Sequence, residues 1–261
     1  MPKLGVISGS GLEGIPGLEI IDSVVVDTPY GEPSDAFRLG RLYGKDIVFL
    51  PRHGPGHRLQ PHRINYRANI HGFKDLGVER IISLNAAGGI SPSMEPGRIA
   101  MPDQIIDMTS GRKSTFYEED EVVHVDFTEP FCPDLRKSML IASELSGIPL
   151  LKSGVYICVN GPRLESAGEI KTFSLWGADM VGMTAMPEAA LAREAEICFS
   201  ALAVITNFAA GISGDRLTTK EVLDTMRRSM KELESLLSSF FALDLPEPDC
   251  SCREALRDSR M

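Results

Sequence analysis

The chain predicts an α/β fold: a single domain with a mixed central β-sheet flanked by helices. Three observations carry this. Short β-like apolar runs recur along the 261 residues, helical patterns alternate with the later ones, and no Pro/Gly/Ser-rich linker divides the chain before Asp244. Such alternation packs helices on a mixed or largely parallel sheet and puts ligand sites at the C-terminal ends of strands. A hydrophobic fraction of 43% is ample for the core this requires.

The predicted strands are residues 4–7, 19–26, 46–50, 80–85, 104–108, 154–159, 180–183 and 199–207. A helix over 65–76 ends at Gly77, a residue suited to the left-handed C-cap. Another, over 133–146, puts Leu135, Met139, Ala142 and Leu145 on one face and stops at Gly147. A third runs from Ser166 to Trp176. A fourth, over 187–197, opens with Pro187 and Glu188, both favoured in a first turn. In the last helix Thr218 and Glu221 form a capping box. Val222, Leu223, Met226, Met230, Leu233, Leu237 and Phe240 then recur at helical spacing as a core-facing stripe. The domain closes at residue 245, and 246–261 reads as a polar C-terminal tail.

Composition excludes several classes. A net charge of −9 leaves no basic stripe for nucleic acid. No apolar run approaches the roughly 18 residues of a membrane span. The start runs straight into a strand without a signal-peptide pattern, so the expected location is the cytoplasm. Cys132, Cys158 and Cys198 sit in apolar runs and read as packing residues. Cys250-Ser251-Cys252 lies in the tail, where no second cysteine pair completes a zinc site. The tail is therefore expected to be inert, with a local disulfide as the alternative, and no metal is expected. His53, His57 and His62 are separated by glycines and prolines that give no helical face for a metal.

The string Gly9-Ser10-Gly11-Leu12-Glu13-Gly14 fits the dinucleotide fingerprint, and Asp27 ends the next strand at a suitable distance. Only residues 15–18 separate Gly14 from the next β run, though, and a parallel crossover with its helix needs at least about 10. An NAD-binding dehydrogenase is thus a poor reading. The string reads instead as a glycine loop approaching a small anion, or as a tight turn.

Several segments past strand ends carry matching chemistry. Arg52-His53-Gly54 offers a guanidinium whose fork suits phosphate oxygens. Asn85-Ala86-Ala87-Gly88-Gly89 allows close backbone approach. Met183-Thr184 offers one apolar and one hydroxyl contact, and Asn207 ends a strand. Glu165 follows Gly161-Pro162-Arg163-Leu164, just past a strand end. Taken singly each is explicable as a turn, a salt bridge or a helix-opening acid. Together with Ser10 they supply what a phosphate pocket needs, leaving Glu165 and Asn207 for something else.

At this point the chain resembles the trimeric purine nucleoside phosphorylase and methylthioadenosine phosphorylase superfamily, over residues 3–243. Eight motifs match in order: Gly9-Ser10-Gly11, Thr28-Pro29-Tyr30-Gly31, Arg52-His53-Gly54, Asn65-Tyr66-Arg67-Ala68-Asn69, Asn85-Ala86-Ala87-Gly88-Gly89, Glu129-Pro130-Phe131-Cys132-Pro133, Gly161-Pro162-Arg163 and Met186-Pro187-Glu188. The resemblance implies phosphorolysis of a purine nucleoside to free base and pentose 1-phosphate, with inorganic phosphate as co-substrate and no cofactor. It places Ser10, Arg52, His53, Asn85, Ala86 and Thr184 at phosphate, Met183 at the ribose, and Ala87, Gly88, Leu164, Glu165 and Asn207 at the base. His53, Glu165 and Asn207 are the implied catalytic groups. It also implies a homotrimer or dimer of trimers, with His124 reaching a neighbour's pocket.

Base chemistry narrows the substrate. Ionised Glu165 accepts from the N1–H of a 6-oxopurine, and Asn207 donates to O6 while accepting from a protonated N7. Adenine would set its N1 lone pair against the carboxylate, a buried repulsion. Hypoxanthine and guanine nucleosides are therefore expected over a methylthioadenosine-type substrate, the alternative. At the sugar's 5′ end, Thr218-Thr219 stand where the relatives that cleave inosine and guanosine often carry a histidine, and Thr219 is the expected contact. Both 5′-methylthioinosine and plain inosine or guanosine remain open. Leu164 replaces a phenylalanine common at its position, which weakens stacking on the base.

Overall fold

In the computed structural model, residues 3–12, 15–118, 121–214 and 217–261 are described. Glu13 and Gly14, the end of the fingerprint string, lie outside them. Along the chain come strands β1 (Leu4–Ser8), β2 (Leu18–Val24), β3 (Phe37–Leu42) and β4 (Lys45–Pro51), helix α1 (Tyr66–Asp75), strands β5 (Arg80–Gly89), β6 (Ile99–Ala100) and β7 (Gln104–Met108), and helix α2 (Pro133–Ser146). Strands β8 (Leu150–Leu151) and β9 (Val155–Val159) lead to helix α3 (Ala167–Leu175), strand β10 (Met180–Gly182), helix α4 (Ala185–Glu194), strand β11 (Cys198–Phe208) and helix α5 (Thr219–Ala242).

The eleven strands among the described residues form one mixed sheet, in the order β2-β3-β4-β1-β5-β10-β9-β7, with β11 also pairing β5. The central strand is β5. It runs parallel to β1 and β11 and, at its Gly88-Gly89 end, antiparallel to β10. Between β1 and β2 the described residues contain no helix, which agrees with rejecting a dinucleotide crossover. Strand β3 is missing from the predicted elements, because its two arginines break the apolar pattern. It forms a hairpin with β4 through Tyr43-Gly44, both at positive φ (46° and 82°), as a tight two-residue turn requires.

Helices cover both faces. Tyr66, Ile70 and Phe73 of α1 join Ala189 and Ala192 of α4 in one core, while Leu135 and Met139 of α2 meet Leu233, Leu237 and Phe240 of α5 in another. Each Leu, Ile, Met or Phe side chain among them, fully buried, contributes about 1.5–3 kcal/mol. The α2 boundaries agree with the sequence pattern, and Gly147 caps it at φ 68°. Leu145 departs from its predicted face and stays 67% exposed. Helix α4 spans 185–194 rather than 187–197, because Glu196 takes a left-handed φ of 58° and ends the helical path.

The tail docks on the body of the fold. The Arg80 guanidinium donates to the Pro246 carbonyl, Arg253 pairs with Glu79, and the Asp249 N–H donates to Asp134 (2.8 Å). Cys252 is buried, beside Cys132, Cys198 and Cys250, so the cysteine partners absent near the tail in sequence come from elsewhere in the fold.

Candidate active site

Strand register brings the chemistry together. Ser8 of β1 lies level with Pro51 of β4 and Leu84 of β5. The next residues, Gly9-Ser10, Arg52-His53 and Asn85-Ala86, therefore emerge at one end of the sheet. A cavity of about 160 Å³ there is lined by Ser10, Arg52, His53, Ala86, Ala87, Gly88, Leu164, Glu165, Met183, Thr184 and Asn207. A larger cavity of about 840 Å³ shares Ser10, His53, Leu164 and Met183 and continues to Thr219 and the first turns of α5. Asn85 sits behind the wall, and His124 lies outside both cavities, its N–H on the Ser259 carbonyl (2.8 Å). The Asn85–Gly89 segment is the end of β5 rather than a loop, so its small residues form a wall of extended backbone.

Arg52 departs from its expected geometry. It is fully buried, and its fork faces Glu188, with Nε donating to Oε1 (2.5 Å) and Nη2 to Oε2 (3.0 Å). Nη2 also donates to Ser83 Oγ (2.6 Å) and Nη1 to the Leu84 carbonyl (3.1 Å). Four of the five guanidinium hydrogens are thus engaged within the protein, and one on Nη1 is left for a ligand. Gly9 makes this possible, because a Cβ there would lie 2.7 Å from Arg52 Nη1. Ser83 donates to Glu188 (2.9 Å), Asn85 Nδ2 to Ser83 Oγ (3.2 Å), and Thr184 Oγ1 to Asn85 Oδ1 (3.0 Å). Ser83 and Glu188 are site residues that the sequence reading missed. Glu188 stood out as a first-turn acid and as the end of the Met186-Pro187-Glu188 motif, with no role at the site, and Ser83 lies inside an apolar run.

His53 is 5% exposed, and its Nδ1 lies 2.8 Å from the Leu59 carbonyl. A carbonyl only accepts, so Nδ1 carries the hydrogen and Nε2 presents a lone pair. Burial, then the Arg52 charge, pushes the imidazole pKa down to about 3. His53 is therefore neutral at physiological pH, an acceptor for a protonated phosphate oxygen or a sugar hydroxyl rather than a cation.

On the far side, β11 carries a bulge at Thr206: Ile205 pairs with Ala87, and the next pair is Asn207 with Gly88. The extra residue re-aims the strand end. The Asn207 amide is held from two sides, Oδ1 accepting from Thr206 Oγ1 (2.8 Å) and Nδ2 donating to the Phe208 carbonyl (2.8 Å). Turning the amide over would set two acceptors against each other, so its orientation is fixed. One amide hydrogen and one Oδ1 lone pair remain for a ligand.

Glu165 is not the helix-opening acid its position suggested. Ser166 caps α3 in a capping box with Glu169, and Glu169 also takes both Nη groups of Arg163 (2.7 and 2.8 Å). With Arg163 turned away, burial is the largest influence on Glu165 and raises its pKa above the ordinary carboxylate value. An N–H donor arriving in the cavity would favour its charged form. Arg112 is a further residue missed in sequence. It donates to the carbonyls of Met183 (2.8 Å), Met186 (2.6 Å) and Asn160 (3.0 Å), tying together the chain ends that carry Met183 and the Glu165 loop.

Residues 3–242 match the family model described as "Phosphorylase superfamily". The chain belongs to the phosphorylase superfamily. It is 48% identical over 98% of its length to a probable S-methyl-5'-thioinosine phosphorylase of Thermodesulfovibrio yellowstonii, covering 97% of that protein. It is 43% identical, over 98% of both chains, to the 6-oxopurine nucleoside phosphorylase of Pyrococcus furiosus. Among solved structures, a methylthioadenosine phosphorylase from an antarctic soil metagenomic library is 35% identical with a TM-score of 0.92, over 100% of this chain and 92% of that one. No helix among the described residues is long and apolar enough to cross a membrane.

Proposed function

We propose that this phosphorylase cleaves 6-oxopurine nucleosides with inorganic phosphate, giving free base and a pentose 1-phosphate, and that its preferred nucleoside is 5′-methylthioinosine. The base assignment rests on Asn207 and Glu165 lining one cavity. The fixed amide has one donor for O6 and one acceptor for N7–H, and the carboxylate takes N1–H. As the glycosidic bond breaks, negative charge grows on the base. The Asn207 donor then gains strength at O6, and such preorganised hydrogen bonds are typically worth about 10²–10³ in rate.

Phosphate meets Ser10, His53 Nε2, the remaining Nη1 hydrogen of Arg52 and Thr184. Because Glu188 neutralises Arg52, the phosphate keeps its own charge to stabilise the cation developing at C1′ and then bonds that carbon. The methylthio assignment rests on the second cavity. Leu59, Met183, Val222, Leu223 and Met226 line it, and they suit a thioether better than a hydroxyl. Thr218 and Thr219 at its edge favour the second reading, plain inosine or guanosine. We further propose a homotrimer or dimer of trimers, as the resemblance over residues 3–243 implies, in which the exposed His124 completes a neighbour's sugar site.

The test compares inosine, guanosine, 5′-methylthioinosine and 5′-methylthioadenosine, each with and without phosphate. The expected outcome is base release only with phosphate and highest kcat/KM for methylthioinosine. Preference for methylthioadenosine would overturn the base assignment, and preference for inosine would overturn the 5′ assignment alone.

A further inference from the structure

Four of the five cysteines meet on the side of the fold where the tail docks. Cys132 is the N-cap of α2, Cys198 opens β11, and Cys250 and Cys252 come from the tail, at the short 3-10 turn Ser251–Glu254. Their sulfur atoms all lie within 4.8 Å of one another, with Cys132–Cys250 at 3.5 Å and Cys198–Cys250 at 3.4 Å. A tetrahedron of thiolates around zinc, with Zn–S about 2.3 Å, has edges of about 3.8 Å. Cys132, Cys198 and Cys252 are at most 2% exposed, while Cys250 is half-buried and gives an entry path.

We propose that Cys132, Cys198, Cys250 and Cys252 form a tetrathiolate site for one zinc ion that fastens the C-terminal tail to the body of the fold. Binding exchanges protons for metal. Each thiol still protonated releases one H⁺, and four thiolates on Zn²⁺ leave a net charge of −2.

The surroundings suit such an anion. Cys132 lies at the positive end of a 14-residue helix. Cys158, the fifth cysteine, shows the contrast. It is a lone buried thiol that accepts from the Met186 N–H (3.4 Å) inside the core.

The proposal is tested on full-length protein purified without a metal-affinity tag, incubated with zinc and desalted. Elemental analysis is expected to give about one zinc per chain, and a mercurial thiol reagent should release it stoichiometrically to a metallochromic dye. Replacing zinc by cobalt should give thiolate charge-transfer and tetrahedral cobalt absorption. The Cys250→Ser/Cys252→Ser protein should fall to below about 0.1 zinc per chain while keeping its phosphorolytic activity. If that variant fails to fold, mercurial release from the unaltered protein decides. Zinc below about 0.1 per chain in the unaltered protein, whether its five thiols titrate free or an intact mass shows two disulfides, would overturn the site.

Discussion

Asn207→Asp tests the base assignment most sharply, because the structure fixes what the new carboxyl can do. The Asn207 Nδ2 donates to the Phe208 carbonyl at 2.8 Å, and Oδ1 accepts from Thr206 at 2.8 Å. In the variant the oxygen facing Phe208 must carry a proton, since two acceptors at that separation repel. A protonated aspartic acid has one O–H, which the carbonyl consumes. Oxygen then faces O6 of a 6-oxopurine where nitrogen had donated, while a 6-amino group finds an acceptor. Losing one donor to the developing oxyanion costs about 2.7–4 kcal/mol, or about 10²–10³ in rate. The ratio of kcat/KM for 5′-methylthioinosine over 5′-methylthioadenosine should therefore fall by at least about 10²-fold. Steady-state assays at saturating phosphate read this directly, with the unfolding midpoint as a check on integrity. A ratio unchanged within about twofold, both substrates declining together, would refute the role given to Asn207.

Other variants probe the rest of the site. Glu165→Gln should lower kcat/KM for 6-oxopurine nucleosides by about 10–10²-fold and leave the phosphate KM within about twofold; equal losses in both would make Glu165 structural. Glu188→Gln strands the buried Arg52 charge, so urea unfolding should show a loss of about 3–5 kcal/mol, and a loss below about 1 would contradict the pairing. His53 has a folded pKa of about 3, below its unfolded value, so in that window the unfolded chain binds the extra proton. Its contribution is present above pH of about 6.5 and is lost as pH falls, by up to about 1.4 kcal/mol per unit. Unfolding of the parent and His53→Gln at pH 7 and 5 should thus show a steeper acid loss in the parent; equal slopes would count against a neutral buried imidazole. His124→Ala should lower kcat/KM without changing the unfolding midpoint if it serves a neighbouring subunit, and sedimentation should show a trimer or larger; a monomer with full activity would contradict this.

The sequence showed the backbone of this molecule well where periodicity and caps agree. Helix α2 between Pro133 and Gly147, and the stripe of α5, were legible because apolar spacing coincided with end signals. Strand β3 was not, because Arg38 and Arg41 interrupt its pattern while Phe37 and Leu42 supply the burial. The pocket walls were legible as loops beyond strand ends, and the register of β1, β4 and β5 does bring them together. What spacing could not reveal is pairing across the sheet. Arg52 looked like a free phosphate fork, yet Glu188, 136 residues away in sequence, holds most of it. The four cysteines were hidden for the same reason, since only the docked tail makes neighbours of Cys132, Cys198, Cys250 and Cys252.

The central claim is that Glu165 and Asn207 hold opposite edges of a 6-oxopurine. A crystal structure with hypoxanthine and phosphate bound tests it most directly. The account predicts N1–H within about 3.2 Å of the Glu165 carboxylate, and O6 and N7 facing the Asn207 amide at similar distances. Hypoxanthine bound with either side chain turned away from those edges would contradict it.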